Sequence, residues 1–267
     1  MHPTNCLNCE AELHTGFKYC AKCGQKAETH RLNFHEVSHD ALHYLTHADK
    51  GLLLLGRELI LRPGTMAREY MAGKRQQYYK PVSFFLLVGA ILVFMTSYFH
   101  LVDDRLVKQM EAYASTQKDP KRQQSMFGKI ERVKQTNHYI SKYSNVMNML
   151  ATPLFAAMFW LFYKRAGYSY IEHLVANMYF ISFTMLIYAF LVVPWQHLLS
   201  NSKMPWIFVL VFFIFEITYR AFAYYHFINK KGAGQFWKAW SVSLFTVLVW
   251  TTGNYFLIQH YINTGFK

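Results

Sequence analysis

Residues 173–200 read HLVANMYFISFTMLIYAFLVVPWQHLLS, with no Asp, Glu, Lys or Arg among them. That is enough for an α-helix to cross a bilayer, which takes roughly 20 apolar residues for a ~30 Å hydrocarbon core. The same pattern recurs on both sides. No charge lies between Val82 and Val102, between Tyr143 and Tyr163, or between Ala239 and Phe266. From Met204 to Asn229 only Glu216 and Arg220 interrupt the run. Core helices of a water-soluble domain would show shorter apolar stretches and a polar face on each helix. The pattern therefore predicts a mainly α-helical, polytopic integral membrane protein with about five transmembrane helices. A content of 53% hydrophobic and 16% charged residues in 267 points the same way. The first run begins near residue 82 and does not read as a cleaved signal peptide.

A formal charge of +13 raises the question of nucleic acid, but the cations are distributed as a topology signal. Arg57, Arg62, Arg68, Lys74, Arg75 and Lys80 precede the first run. Lys164 and Arg165 follow the second, and Lys230, Lys231 and Lys238 separate the fourth from the fifth. Alternate loops thus hold the cations, as cytosolic segments do. The expected orientation has the N-terminus in the cytosol and the C-terminus outside, with no nucleic-acid partner. Segment 103–142 runs against this count, with nine Lys/Arg to five Asp/Glu. It is long, and charges far from a span weigh less in orientation.

The strongest motif is CLNCEAELHTGFKYCAKCGQK at residues 6–26, in which Cys6, Cys9, Cys20 and Cys23 form two C-x2-C pairs ten residues apart. Two close thiolate pairs can fold onto one tetrahedral ion, and Gly24 suits the tight turn of a metal knuckle. Two disulfides are the alternative, but a cytosolic location keeps thiols reduced. The expectation is one structural Zn2+ per chain, with no coordination position left open for catalysis. A segment this short buries little core, so the ion would supply its folding energy.

Three regions follow: a ribbon over 1–28, juxtamembrane amphipathic helices over 29–81, and a transmembrane domain over 82–267. Residues 103–142 are expected as an external loop, with a pair of amphipathic helices broken at Pro120. In the second region, apolar stripes beside regularly spaced cations suggest interfacial helices. Arg57, Arg62, Arg68, Lys74 and Arg75 are candidate contacts for anionic lipid. The four cysteines, the HADKG step at 47–51 and LRPGTMAREYMAGKRQQYYKPVSFFLL at 61–87 resemble a family of bacterial membrane proteins catalogued as domain of unknown function 3667. The resemblance implies a bacterial inner-membrane protein with a cytosolic zinc ribbon. It implies no reaction.

Two polar features remain. Glu216 sits about 16 Å along its helix from Pro205, near mid-bilayer, where a carboxylate must be paired, neutral or hydrated. Arg220, four residues on, has the spacing of an intrahelical ion pair, with Asn177 or Tyr219 as candidate helpers. The pair either fastens helices together or serves a proton, ion or substrate. The second feature is HEVSHDALHYLTH at 35–47, which stacks His35, His39, His43 and His47 on one helix face. The apolar residues of that helix lie opposite, so a solvated histidine face is the plain reading. His35 and His43 are about 12 Å apart along the axis, so one ion could take only an adjacent pair such as His39 and His43.

These features point to a non-enzymatic membrane protein that recruits or regulates a partner through its ribbon, or handles a small ligand. One alternative is a membrane-embedded metal enzyme acting on lipid-linked substrates through His39, His43 or Glu216. A proton- or ion-coupled transporter using Glu216 is the other.

Overall fold

The computed structural model describes residues 5–13, 16–29, 31–33, 51–99, 105–199, 206–230 and 232–265. Outside a small cysteine ribbon these residues are almost entirely helical, and no strand longer than an isolated bridge occurs among them.

Helices α1 (Gly51–Leu61) and α2 (Pro63–Met71) form a tight hairpin. Pro63 ends one helix and starts the next. It cannot continue the α1 hydrogen-bond ladder, but its missing N–H is harmless at the first position of α2. Pro81 plays the same part for α3 (Pro81–Tyr98), after an extended Lys80 with ψ 140°.

Beyond α3 the chain forms a second hairpin, α4 (Arg105–Ser115) and α5 (Pro120–Phe162). Asp119 caps α5 by accepting from the Lys121 N–H at 3.0 Å. Val107 and Ala114 pack on Ile130, and Lys134 pairs with Glu111 at 2.7 Å. Residues 105–142 are therefore largely helical, and their second helix runs on without a break. At 43 residues, α5 is about 64 Å long, twice the hydrocarbon thickness, and its apolar part is Met149–Phe162.

Helix α6 (Tyr170–Ile187) starts on a capping box. Ser169 Oγ accepts from the Glu172 N–H at 3.3 Å, and Glu172 Oε2 accepts from the Ser169 N–H at 2.6 Å. It widens into one π-helical turn, Tyr188–Val192, before α7 (Val193–Leu198). Pro194 accounts for the widening, since its ring clashes with the preceding turn and it donates no hydrogen bond. Helices α8 (Trp206–Ile228) and α9 (Ala233–Thr264) complete the bundle.

Among the described residues, four segments are long and apolar enough to span a membrane: Pro81–Tyr98, Tyr170–Leu198, Ile207–Ile228 and Ala233–Thr264. Met149–Phe162 is a shorter fifth apolar stretch. The most apolar window of Tyr170–Leu198 is 67% buried, against 22–33% for the other three, which makes α6 the central helix. The surrounding helices expose Phe94, Leu154, Leu161, Ile214, Phe256 and Leu257. In water such a surface would be an aggregation hazard; in a bilayer it is lipid contact. The chain is a membrane protein on these grounds. Past the apolar zone α5 and α9 continue together, tied by Arg132 Nε to the Ile262 carbonyl at 2.8 Å and Tyr261 OH to Gln135 Oε1 at 2.9 Å.

Candidate metal centre and its seat on the helices

The ribbon is two similar knuckles. In each, the N–H of the residue after the second cysteine returns to the carbonyl of the first: Glu10 to Cys6 and Gly24 to Cys20, both at 2.9 Å. That return needs a left-handed backbone, with φ +61° at Glu10 and +74° at Gly24. The four Sγ atoms lie within 4.8 Å of one another, with Cys6–Cys23 at 3.6 Å and Cys9–Cys20 at 3.7 Å. A tetrahedral ion bound at about 2.3 Å would set its sulfurs about 3.8 Å apart. A disulfide needs about 2.05 Å, and all four cysteines are free. The spacing therefore suits one metal ion. The Cys23 N–H directed at Cys20 lowers that thiol to about 7, whereas burial pushes Cys23 up to about 12. Without a cation, the cluster keeps protons that a metal would displace.

The ribbon and the linker that follows it meet the helices at two places. The first is the loop after α2. Asn8 Oδ1 accepts from the Gln77 N–H at 3.2 Å, and Gln25 Oε1 accepts from the Gln76 N–H at 3.0 Å. Gly73 makes the approach possible: its φ is +108°, and an added Cβ would lie 2.8 Å from Thr29 Oγ1 and 3.0 Å from Leu7 Cδ1. The second place is the start of α6. Arg31 donates to both Glu172 oxygens, at 3.0 and 2.7 Å, and to the Gly167 carbonyl at 2.6 Å. Glu172 is buried while Arg31 is largely exposed. One carboxylate thus caps the central helix and anchors the linker that follows the ribbon.

Behind Glu172 lies a buried polar group. His173 Nδ1 is 3.4 Å from Tyr224 OH, and Asn177 Nδ2 donates to the His173 carbonyl at 2.9 Å and to Tyr224 OH. Tyr224 stacks on Phe159 with ring centroids 3.7 Å apart. His173 Nε2 and Asn177 Oδ1 have no protein partner among the described residues. One turn back along α8 from Tyr224, Arg220 Nη2 pairs with Glu216 Oε1 and the guanidinium lies 4.6 Å from the Phe155 ring centre. Only 1% of the Arg220 side chain is exposed, yet its Nε and Nη1 find no acceptor among the described residues. Neither suggested helper is at the pair: Asn177 serves Tyr224, and Tyr219 OH donates to the Leu59 carbonyl at 2.9 Å.

The five candidate lipid cations occupy different settings. Arg62 is engaged internally, with Glu58 and with Glu69 at 3.1 Å. Tyr78 OH adds a 2.7 Å bond to Glu69. Burial works against the Glu69 charge, but Tyr78 and Arg62 outweigh it and hold the carboxyl below its usual 4.5. Arg68 reaches Thr65 Oγ1 at 3.4 Å, Arg75 has a buried Nε, and Lys74 is half-buried. Arg57 is exposed on α1. The histidine ladder, including His39 and His43, lies outside the described residues. Arg31 and Tyr224 were not foreseen from sequence. A lone cation in a linker and one aromatic in an aromatic-rich helix give no local signal of their partners.

No curated protein and no solved structure matches the chain. The α1–α2 hairpin and most of α3, residues 49–93, match the model of the family described as "Protein of unknown function (DUF3667)", the family that the sequence motifs resemble.

Proposed function

We propose that this chain is a multi-pass protein of a bacterial inner membrane whose Zn2+-closed cytosolic ribbon regulates the helices on which it sits, and is not itself catalytic. The observation supporting this is the two-point seat: Asn8 and Gln25 hold the loop after α2, while Arg31 holds the cap of the central helix. Cys6, Cys9, Cys20 and Cys23 would hold the Zn2+ as a closed tetrathiolate, a structural arrangement. Removing the ion would unfold the ribbon and release both contacts at once. A protein partner would meet the ribbon on the edge where Phe17 and Tyr19 are exposed. Anionic lipid is the other partner, reached through cations of the juxtamembrane helices. The cation-rich loops favour a cytosolic N-terminus and an external C-terminus.

The test is metal content together with limited trypsin digestion of purified protein. One zinc per chain is expected, lost in Cys6→Ser/Cys9→Ser, with faster cleavage at Lys74 and Arg75 while the spans stay intact. Zinc loss without faster cleavage would end the regulatory reading. A second metal equivalent, lost on His39→Ala or His43→Ala, would favour the enzyme reading.

A second reading, small-ligand or proton handling at Glu216 and Arg220, is favoured by the unmet Arg220 N–H groups inside a membrane bundle. It predicts that Glu216→Gln abolishes transport while the protein remains folded and inserted.

A further inference from the structure

One face of α1 has no protein cover among the described residues. Leu53, Arg57, Ile60 and Leu61 fall at i, i+4, i+7 and i+8, a single helical stripe. Leu53 is 85% exposed, Ile60 63% and Leu61 59%, although Leu55 and Leu59 on the opposite face are fully buried. Arg57 lies within this stripe, exposed, and makes no hydrogen bond or ion pair among the described residues.

The level of the hairpin identifies what covers the stripe. Tyr219 OH holds the Leu59 carbonyl at 2.9 Å, and Tyr219 lies nine residues before the end of α8 at Ile228. That is about 14 Å inside the ribbon-side end of the helix. Gly64 touches the α8 backbone from Ala223 to Phe227. At the same end of the bundle, α5 exposes Leu161 and Phe162 up to its last residue, and α9 exposes Trp237. Lys164 and Lys238 stand at that edge, the usual place of interfacial cations. The apolar belt of the spans therefore reaches the helix ends, and the α1 stripe lies at the level of that belt.

We propose that the α1 stripe is a phospholipid-binding surface, with Leu53, Ile60 and Leu61 among acyl chains and Arg57 on the phosphate of an anionic headgroup. The proposal rests on the lipid reading above and narrows five cations to one. Arg62, though exposed, is already paired with Glu58 and Glu69, which leaves Arg57 as the α1 cation without a carboxylate partner among the described residues. An interfacial helix of this kind binds by buried apolar area together with attraction to anionic lipid.

The experiment uses full-length, zinc-loaded protein in its native membrane. A diazirine amino acid replaces Leu53, Ile60 or Leu61 in turn, with exposed Glu12 on the ribbon as the aqueous control, and adducts are read by mass spectrometry. Phospholipid adducts at 53, 60 and 61 but not at 12 are expected. Arg57→Gln should reduce co-purified phosphatidylglycerol relative to phosphatidylethanolamine by about fivefold, the effect of one arginine near a charged surface. Protein adducts at the stripe would mean that a partner or second copy covers it, and would overturn the proposal. So would adducts with water alone, or an unchanged lipid ratio in Arg57→Gln. None of these outcomes bears on zinc release, so failure here leaves the ribbon reading standing.

Discussion

Gly64 is the residue at which the hairpin comes closest to the α8 backbone, and Gly64→Ala tests that contact directly. A Cβ at this position would lie 2.7 Å from the His226 carbonyl carbon, and closer still to the Ala223 carbonyl oxygen and the Phe227 amide nitrogen. All three are backbone atoms of α8 and cannot rotate aside, so α2 must withdraw by about 1 Å, a gap that forfeits a quarter to a half of each contact it opens. Leu59, Met66 and Ala67 on the hairpin, and Ala223 and Phe227 on α8, are buried at 0% exposure and would all be loosened. Overpacking of this kind costs about 1–3 kcal/mol, and a rigid obstacle puts it near the upper end. Alanine's better helix propensity returns up to about 1 kcal/mol, leaving a net loss of about 2 kcal/mol. For a chain of this size that is a fall in Tm of about 4–8 °C, read by scanning fluorimetry at a fixed rate in one detergent. Gly56→Ala is the control, because nothing lies within 4 Å of its Cβ. It should hold or raise Tm. If Gly64→Ala melts like Gly56→Ala, the hairpin does not dock on α8 as described.

Three further outcomes follow from the same contacts. Arg31→Ala should cost about 1–2 kcal/mol, since buried Glu172 keeps its Ser169 bond but loses its charged partner, and a double-mutant cycle with Glu172→Gln should show non-additivity in Tm. Glu69, whose folded value is depressed, stabilises the hairpin fully above its unfolded value near 4.5, and that contribution is lost as pH falls through the folded value. The acid limb of Tm against pH should flatten in Glu69→Gln; an unchanged limb would place the acid sensitivity elsewhere. Glu216→Leu should cost about 3 kcal/mol by leaving Arg220 unpaired, and Glu216→Leu/Arg220→Met should recover most of it. Failure to recover would mean that the pair does more than neutralise itself.

The amino-acid sequence determined what depends on neighbours along the chain. The uncharged runs specify the membrane helices because crossing hydrocarbon is a matter of length and local polarity. The two C-x2-C pairs specify the four-sulfur cluster because each knuckle closes within a few residues. Pro63, Pro81 and Pro120 mark helix starts for a reason internal to proline. Hydropathy could not show that α5 runs unbroken through Tyr143, because charged residues do not stop a helix; they only fix which part of it meets lipid. What the tertiary structure decided involves remote partners. Arg31 finds Glu172 across 141 positions, and the Tyr219 hydroxyl finds the Leu59 carbonyl across 160. Gly64 is needed because another helix's backbone occupies the space of its side chain. Of five similar cations, two exposed ones differ in pairing: Arg62 faces two carboxylates and Arg57 none among the described residues, a distinction set by how the hairpin folds. Local chemistry chose the elements, and contact between distant surfaces chose which side chains are spent on the fold and which remain free to bind.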